Sequence, residues 1–98
     1  MSIAKIYEGT LGLTLDVFIS GVESFTGIQN AKLFVIPPDT KIEEEWPVTL
    51  EMEAKVFRHV VLLKPLVRGT YKVQPYFELG DFQGRWGALT FSVSKIHT

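Results

Sequence analysis

The sequence contains no cysteine, which excludes disulfide bonds, thiolate nucleophiles and cysteine-based zinc sites. Long hydrophobic runs are also missing: the most apolar stretches, 11–19 and 60–63, are far shorter than the roughly 20 residues of a membrane helix. Neither sign of charge dominates, since 10 Lys and Arg stand against 11 Asp and Glu, and the basic residues are scattered. Binding to nucleic acid or to a membrane is therefore not expected.

The length and composition predict a single globular domain. The 98 residues leave room for one core, so residues 1–98 are expected to form one domain. Hydrophobic residues make up 46% of the chain and charged residues 21%, which are the values of a folded protein. The N-terminus lacks the apolar segment of a secretory signal, so we expect the chain to fold in the cytoplasm of the cell that makes it.

Most of the chain alternates between apolar and polar residues with a period of two, which is typical of half-buried strands. Residues 11–19 and 71–79 are the clearest examples. The segment 48–63 begins with good helix formers, yet the apolar residues of 48–56 alternate strictly and 57–63 is denser in apolar residues, so we predict two strands there with no Gly or Asn to mark their turn. Residues 80–85 are predicted to be the turn of a hairpin that returns over 86–93.

About seven strands, separated by turn signals roughly every 8–12 residues, predict an all-β fold, an immunoglobulin-like antiparallel β-sandwich. Gly69 and Tyr71 are predicted to form a structural corner. A Tyr at the start of a long strand, just after a Gly turn, is placed to donate or accept a hydrogen bond back across the corner, as in the tyrosine corner of such domains. The cysteine pair of antibody domains is missing.

Few residues indicate catalysis, and we predict that the protein is not an enzyme. The histidines are His59 and His97, too few for a metal site in a chain without cysteine, so neither a metal nor another cofactor is expected. Nothing resembles a nucleophile elbow or a glycine-rich phosphate loop. The acidic run 43–45 is interpreted as a solvated strand edge that discourages edge-to-edge pairing rather than as a catalytic carboxylate pair.

Aromatic residues outside the predicted core indicate a binding surface. Trp46 follows the acidic run, and Phe82 and Trp86 lie in or beside the predicted loop 80–85. We predict that these three residues contribute to an interface with a protein partner. The alternative is a carbohydrate-binding or adhesion module, in which one of the three rings stacks on a sugar beside the polar side chains of the loop. Exposed coplanar rings would favour that alternative.

Five short motifs follow one another along the chain. They are IQNAK (28–32), VIPPDT (35–40), EWPVT (45–49), GTYKVQPY (69–76) and GRWGALTFSV (84–93). From Tyr7 to Val93 the chain resembles the N-terminal domain of phage baseplate upper proteins. It departs from the pattern Pro-Asp-Gly-Thr, because Asp39 is followed directly by Thr40.

The resemblance implies a non-enzymatic structural protein of a phage or prophage particle, in the tail or baseplate. Its partners would then be other virion proteins or further copies of itself, and it would enter the virion after synthesis in the bacterial cytoplasm. No functional residue is implied, since the motif residues are turn and core positions. A glycan ligand belongs to the alternative function.

Overall fold

The computed structural model describes residues 6–62 and 64–95, and these residues form an all-β fold, as the alternation predicts. The strands in these ranges are β1 (Ile6–Tyr7), β2 (Thr14–Phe18), β3 (Gln29–Ile36), β4 (Glu44–Pro47), β5 (Thr49–Glu51), β6 (Val56–Val60), β7 (Gly69–Leu79), β8 (Phe82–Arg85) and β9 (Leu89–Ser94). Within the described part of the chain, no helix is long and apolar enough to cross a membrane.

The strands form two sheets. The larger sheet has six strands in the order β1-β9-β7-β3-β4, and β8 pairs with the C-terminal half of β7. It is a mixed sheet, because β1 runs parallel to β9 while β7 runs antiparallel to its neighbours. The smaller sheet has three antiparallel strands in the order β2-β6-β5.

Both sheets contribute to one core. Phe57 of the smaller sheet meets Phe77 of the larger sheet edge to face, with their ring centroids 5.8 Å apart. Full burial of one such side chain contributes about 1.5–3 kcal/mol, so the facing rings help to hold the sheets together. The buried apolar side chains are Val17, Ile19, Phe25, Leu33, Val35, Val56, Phe57, Val61, Leu66, Tyr71, Val73, Phe77 and Val93.

The finer prediction, about seven strands in an immunoglobulin-like antiparallel sandwich, is not confirmed. The described residues form nine strands, and one pair of neighbours is parallel. Two segments account for the extra strands. Residues 44–51 are divided between the sheets, because β4 pairs with β3 and β5 pairs with β6. Residues 82–94 are divided into β8 and β9, which pair with successive halves of β7.

The prediction of an uninterrupted strand in the first half of 48–63 is wrong. β5 ends at Glu51, and residues 52–55 form a turn in which Lys55 has a positive φ of 55° and donates its N–H to the Glu51 carbonyl at 2.9 Å. Met52 is therefore 49% exposed, although the alternation places it on the buried face. The following strand is β6, and Leu63, the end of the predicted one, lies outside the described residues.

The prediction of a turn over 80–85 is also wrong for most of that range. Only Gly80 and Asp81 separate the paired residues Leu79 and Phe82, so the turn has two residues. Gly80 has a φ of 60° and Asp81 does not have a positive φ, which is the type II′ pattern favoured in hairpins. Phe82 consequently lies on strand β8 and not in a loop.

Candidate functional site: a groove beside strand β4

A groove of about 440 Å³ lies between the edge strand β4 and residues 59–62 and 64–67. Its walls are mostly apolar and include Pro37, Val61 and Leu66. An apolar hollow with a few converging polar groups is the usual form of a binding site. The groove is therefore the candidate functional site.

Trp46 faces the groove because of the register of β4. It is paired with the buried Leu33 of β3, so its side chain points to the inner face of the larger sheet. The indole stacks on the His59 ring, with centroids 4.6 Å apart and planes 25° apart, and its centroid lies 6.2 Å from that of Tyr71. The indole N–H donates to Oε1 of Glu44 at 3.1 Å. The half-buried ring is thus fixed in position before any partner binds.

His59 connects the two sheets at this groove. Its Nδ1 lies 2.7 Å from the carbonyl oxygen of Pro47, and since a carbonyl only accepts, Nδ1 carries the hydrogen. In the neutral ring Nε2 is then left as an acceptor. Sequence reasoning missed this role, because no local pattern shows that His59 and Trp46 meet across two sheets. The other histidine, His97, lies outside the described residues.

The polar side of the groove is built on Glu44. Its Oε2 accepts a hydrogen bond from Nζ of Lys64 at 2.9 Å, and this bond is the main reason why the pKa of Glu44 is lowered. The same bond raises the pKa of Lys64. Asp39 also lines the groove, and its negative charge opposes the lowering of the Glu44 pKa. These groups can orient a polar ligand beside the aromatic ring.

Exposed apolar side chains continue the groove onto the surface. Val60 and Leu62 line it and are 38% and 67% exposed. Leu11 is 52% exposed and lies close by, because Gly12 donates its N–H to the carbonyl of Val61. Neighbouring exposed apolar residues of this kind mark interaction surfaces.

The predicted corner residues lie behind the groove. The Tyr71 hydroxyl accepts a hydrogen bond from the N–H of Val67 at 2.9 Å, and the ring stacks on Phe91 with centroids 4.8 Å apart and planes 4° apart. Burial raises the pKa of Tyr71. Gly69 has a φ of 130°, and a Cβ at this position would lie 2.6 Å from Cβ of Pro38. The first residue of β7 must therefore be glycine.

Phe82 and Trp86 lie in a second aromatic cluster and do not join Trp46. Both contact the Phe77 ring, and the Trp86 indole N–H donates to the carbonyl oxygen of Ser20 at 2.9 Å. Their own ring planes are 88° apart. The structure thus divides the three predicted interface residues between two places, and Phe82 and Trp86 do not form a coplanar surface.

The rest of the acidic run, Glu43 and Glu45, faces the outer side of the larger sheet. Glu43 binds the Arg85 guanidinium through both carboxylate oxygens, at 2.6 and 2.8 Å, and Glu45 lies 3.3 Å from Nζ of Lys32. The hydrogen bond from Arg85 lowers the pKa of Glu43. Arg85 also lies 4.0 Å above the centroid of the Phe34 ring. The guanidinium group of Arg85 is therefore already hydrogen-bonded within the protein.

Comparison with known proteins found no match for this chain. The chain matches no family model, no curated protein and no solved structure. The functional proposal therefore rests on the geometry of the groove and on the order of the sequence motifs.

Proposed function

We propose that the protein is a non-enzymatic structural protein of a phage or prophage particle, in the tail or baseplate, that acts through protein–protein contacts. The observation that carries the proposal is the groove, in which the half-buried Trp46 adjoins the exposed Val60 and Leu62. A fixed aromatic anchor next to solvent-exposed apolar surface is the arrangement that dominates the energy of protein interfaces. The resemblance to baseplate upper proteins is the reason for proposing a phage particle. The protein would join this particle after synthesis in the bacterial cytoplasm.

The proposal includes the finer fold assignment, in which the two facing sheets are a variant of the immunoglobulin-like sandwich. Two observations support this assignment. The Tyr71 hydroxyl bonds back to Val67, as a tyrosine corner does. The chain also changes sheet between β4 and β5 with only Val48 between them. A rigid scaffold of this kind can present its edges and loops to identical neighbours in a symmetric assembly.

Location in a particle can be tested directly. Antibodies against the protein should label phage particles purified from an induced culture of its source organism, by immunoblot and by immunoelectron microscopy. In the same system Leu62→Asp places a charge on the apolar side of the groove and should reduce incorporation into particles. Ile42→Asp is the matched control, since Ile42 is 70% exposed against 67% for Leu62 and does not line the groove. Both substitutions should fold, because both side chains face solvent.

Two results would contradict the proposal. If the protein stays in the cell fraction and no particle is labelled, it is not a virion protein. If Leu62→Asp and Ile42→Asp enter particles equally well, the protein does not use the groove to join them.

A glycan-binding or adhesion function is the second candidate, and one observation favours it. The Trp46 ring is flanked by hydrogen-bonding groups on Glu44, Asp39 and Lys64, which could bind the hydroxyls of a sugar. Trp86→Phe leaves Trp46 as the sole tryptophan, so its fluorescence reports on the groove alone. Titration with a panel of free oligosaccharides should leave the emission unchanged if the groove binds protein, and a saturable shift would favour the glycan.

A further inference from the structure

The free edge of β2 differs from the free edges of β1, β4, β5 and β8. β1 and β5 have only two and three residues, and β8 has four. β4 contains Pro47, whose carbonyl is bonded by His59. Short edges, prolines and covered groups are the devices that prevent strands from pairing with other molecules. β2 has five residues and no proline or lysine.

The hydrogen bonds to β6 show which groups of β2 face outward. Ile19 donates its N–H to the carbonyl of Lys55 at 3.0 Å, and the carbonyl of Leu13 accepts from the N–H of Val61 at 2.9 Å. Bonding alternates along an antiparallel pair, so the odd-numbered residues of β2 bond to β6. The N–H and C=O groups that point to the free edge belong to Thr14, Asp16 and Phe18.

We propose that β2 is a self-association edge, on which β2 of a second copy adds as an antiparallel strand about a twofold axis at Asp16. This pairing places Phe18 of each copy opposite Thr14 of the other. Phe18 is 69% exposed in the single chain, so pairing covers one of its most exposed apolar side chains. On the inner face Leu15 meets Val17 of the other copy, which continues the apolar surface of the smaller sheet.

The register is determined by the groups at either end of β2. Centred on Asp16, the three outward residues of one strand meet the three of the other and form about six hydrogen bonds. A shift by two residues would bring in either Gly12 or Ser20. Gly12 already donates its N–H to Val61 at 2.6 Å, and the carbonyl of Ser20 already accepts from Trp86 at 2.9 Å. The centred register therefore satisfies the most backbone groups.

The pairing brings the two Asp16 side chains together, and this limits its strength. Each carboxylate is held by Nε and Nη2 of its own Arg58, at 2.8 and 3.0 Å, so much of its charge is balanced within the chain. Two five-residue strands also form a contact that is small beside the roughly 1,200 Å² at which stable interfaces begin. We therefore expect weak, concentration-dependent dimers, and stronger association where many copies are held together. This contact is separate from the groove and does not depend on a role in a particle.

The first test is the mass in solution, measured by light scattering from low to near-millimolar protein concentration. The wild-type mass should rise towards that of a dimer. Thr14→Pro removes one outward N–H and no bond to β6, so it should keep the fold and abolish the rise. Circular dichroism and the melting temperature establish that the variant is folded. Leu62→Asp, in the groove, should dimerise like the wild type.

The second test traps the register, using the absence of cysteine from the chain. Across the proposed axis the Cα atoms of the two Asp16 residues are about 5.5 Å apart, which suits a disulfide. Asp16→Cys should therefore form a covalent dimer when oxidised with glutathione disulfide. Thr14→Cys should not link to itself, because its own symmetry mate is about 14 Å away, but should link to Phe18→Cys when the two variants are mixed.

Three outcomes would overturn the inference: a monomer at every concentration, a Thr14→Cys protein that links to itself as fast as Asp16→Cys, or loss of dimers in Leu62→Asp but not in Thr14→Pro. None of them bears on whether antibodies label particles, so the inference and the proposed function fail independently.

Discussion

A single methyl group added at Gly69 should destabilise the protein strongly. The backbone φ of 130° lies in a region that side chains rarely adopt, which costs about 1–3 kcal/mol for any other residue. The new Cβ would also lie 2.6 Å from Cβ and 2.8 Å from Cγ of Pro38. A proline ring cannot rotate away, so the overpacking adds about 1–3 kcal/mol. Gly69→Ala should therefore lower the free energy of unfolding by about 2–6 kcal/mol, a large part of the ~5–15 kcal/mol of a typical domain.

Urea denaturation can separate the two contributions. Gly87→Ala is the matched control, since Gly87 has a φ of 78° and no atom within 4 Å of its would-be Cβ. The control should show the backbone cost alone, so Gly69→Ala should lose about 1–3 kcal/mol more. In a thermal melt each kcal/mol corresponds to about 4–8 °C for a domain of this size.

A double-mutant cycle then isolates the contact with Pro38. Pro38→Gly removes both atoms that the new Cβ would meet, so it should recover the overpacking cost of Gly69→Ala while leaving the backbone cost. Equal losses for Gly69→Ala and Gly87→Ala, or the absence of coupling with Pro38→Gly, would refute the reasoning.

Other variants test the corner, the core and the ion pairs. Tyr71→Phe leaves the N–H of Val67 without its acceptor and should cost about 1–2 kcal/mol in urea denaturation; an unchanged midpoint would contradict this. Phe77→Ala empties the centre of the core and should cost about 3–5 kcal/mol by the same assay. The pKa of Glu43 is lower in the folded protein because Arg85 bonds to it, so its stabilisation is fully present above about pH 4.5 and is lost as the pH falls through the lowered pKa. Glu43→Gln should flatten the fall in stability between about pH 5 and 3.

The apolar alternation was sufficient to predict a strand and its buried side chains where the strand has one buried face. β7 illustrates this: the alternation over 71–79 agrees with a strand that runs from Gly69 to Leu79 and buries every second side chain from Tyr71 to Phe77. Period two predicts burial there because a pleated strand turns alternate side chains to the core.

Alternation cannot show which sheet a strand joins or where it stops. Only Val48 separates β4 from β5, although the two strands belong to different sheets, and the pattern runs through this boundary unchanged. It also runs through the turn at 52–55, where Met52 faces solvent. The groove depends on such long-range placement, because Trp46 and His59 meet only when β4 and β6 lie in facing sheets. The sequence therefore identified Trp46 as a candidate without identifying the site around it.

The acidic run 43–45 shows how weak interactions specify a binding site. Its three ion pairs are solvent-exposed to a large degree, and pairs of that kind contribute little to stability. Their directions alternate, however: Arg85 and Lys32 bind on the outer side of the larger sheet, while Lys64 binds on the groove side. A slip of one residue would turn every side chain of β4 to the opposite face. Trp46 would then leave the groove and one of the three ion-pairing positions would hold no glutamate, so the observed register is the one that satisfies all three pairs and keeps the aromatic anchor in the groove.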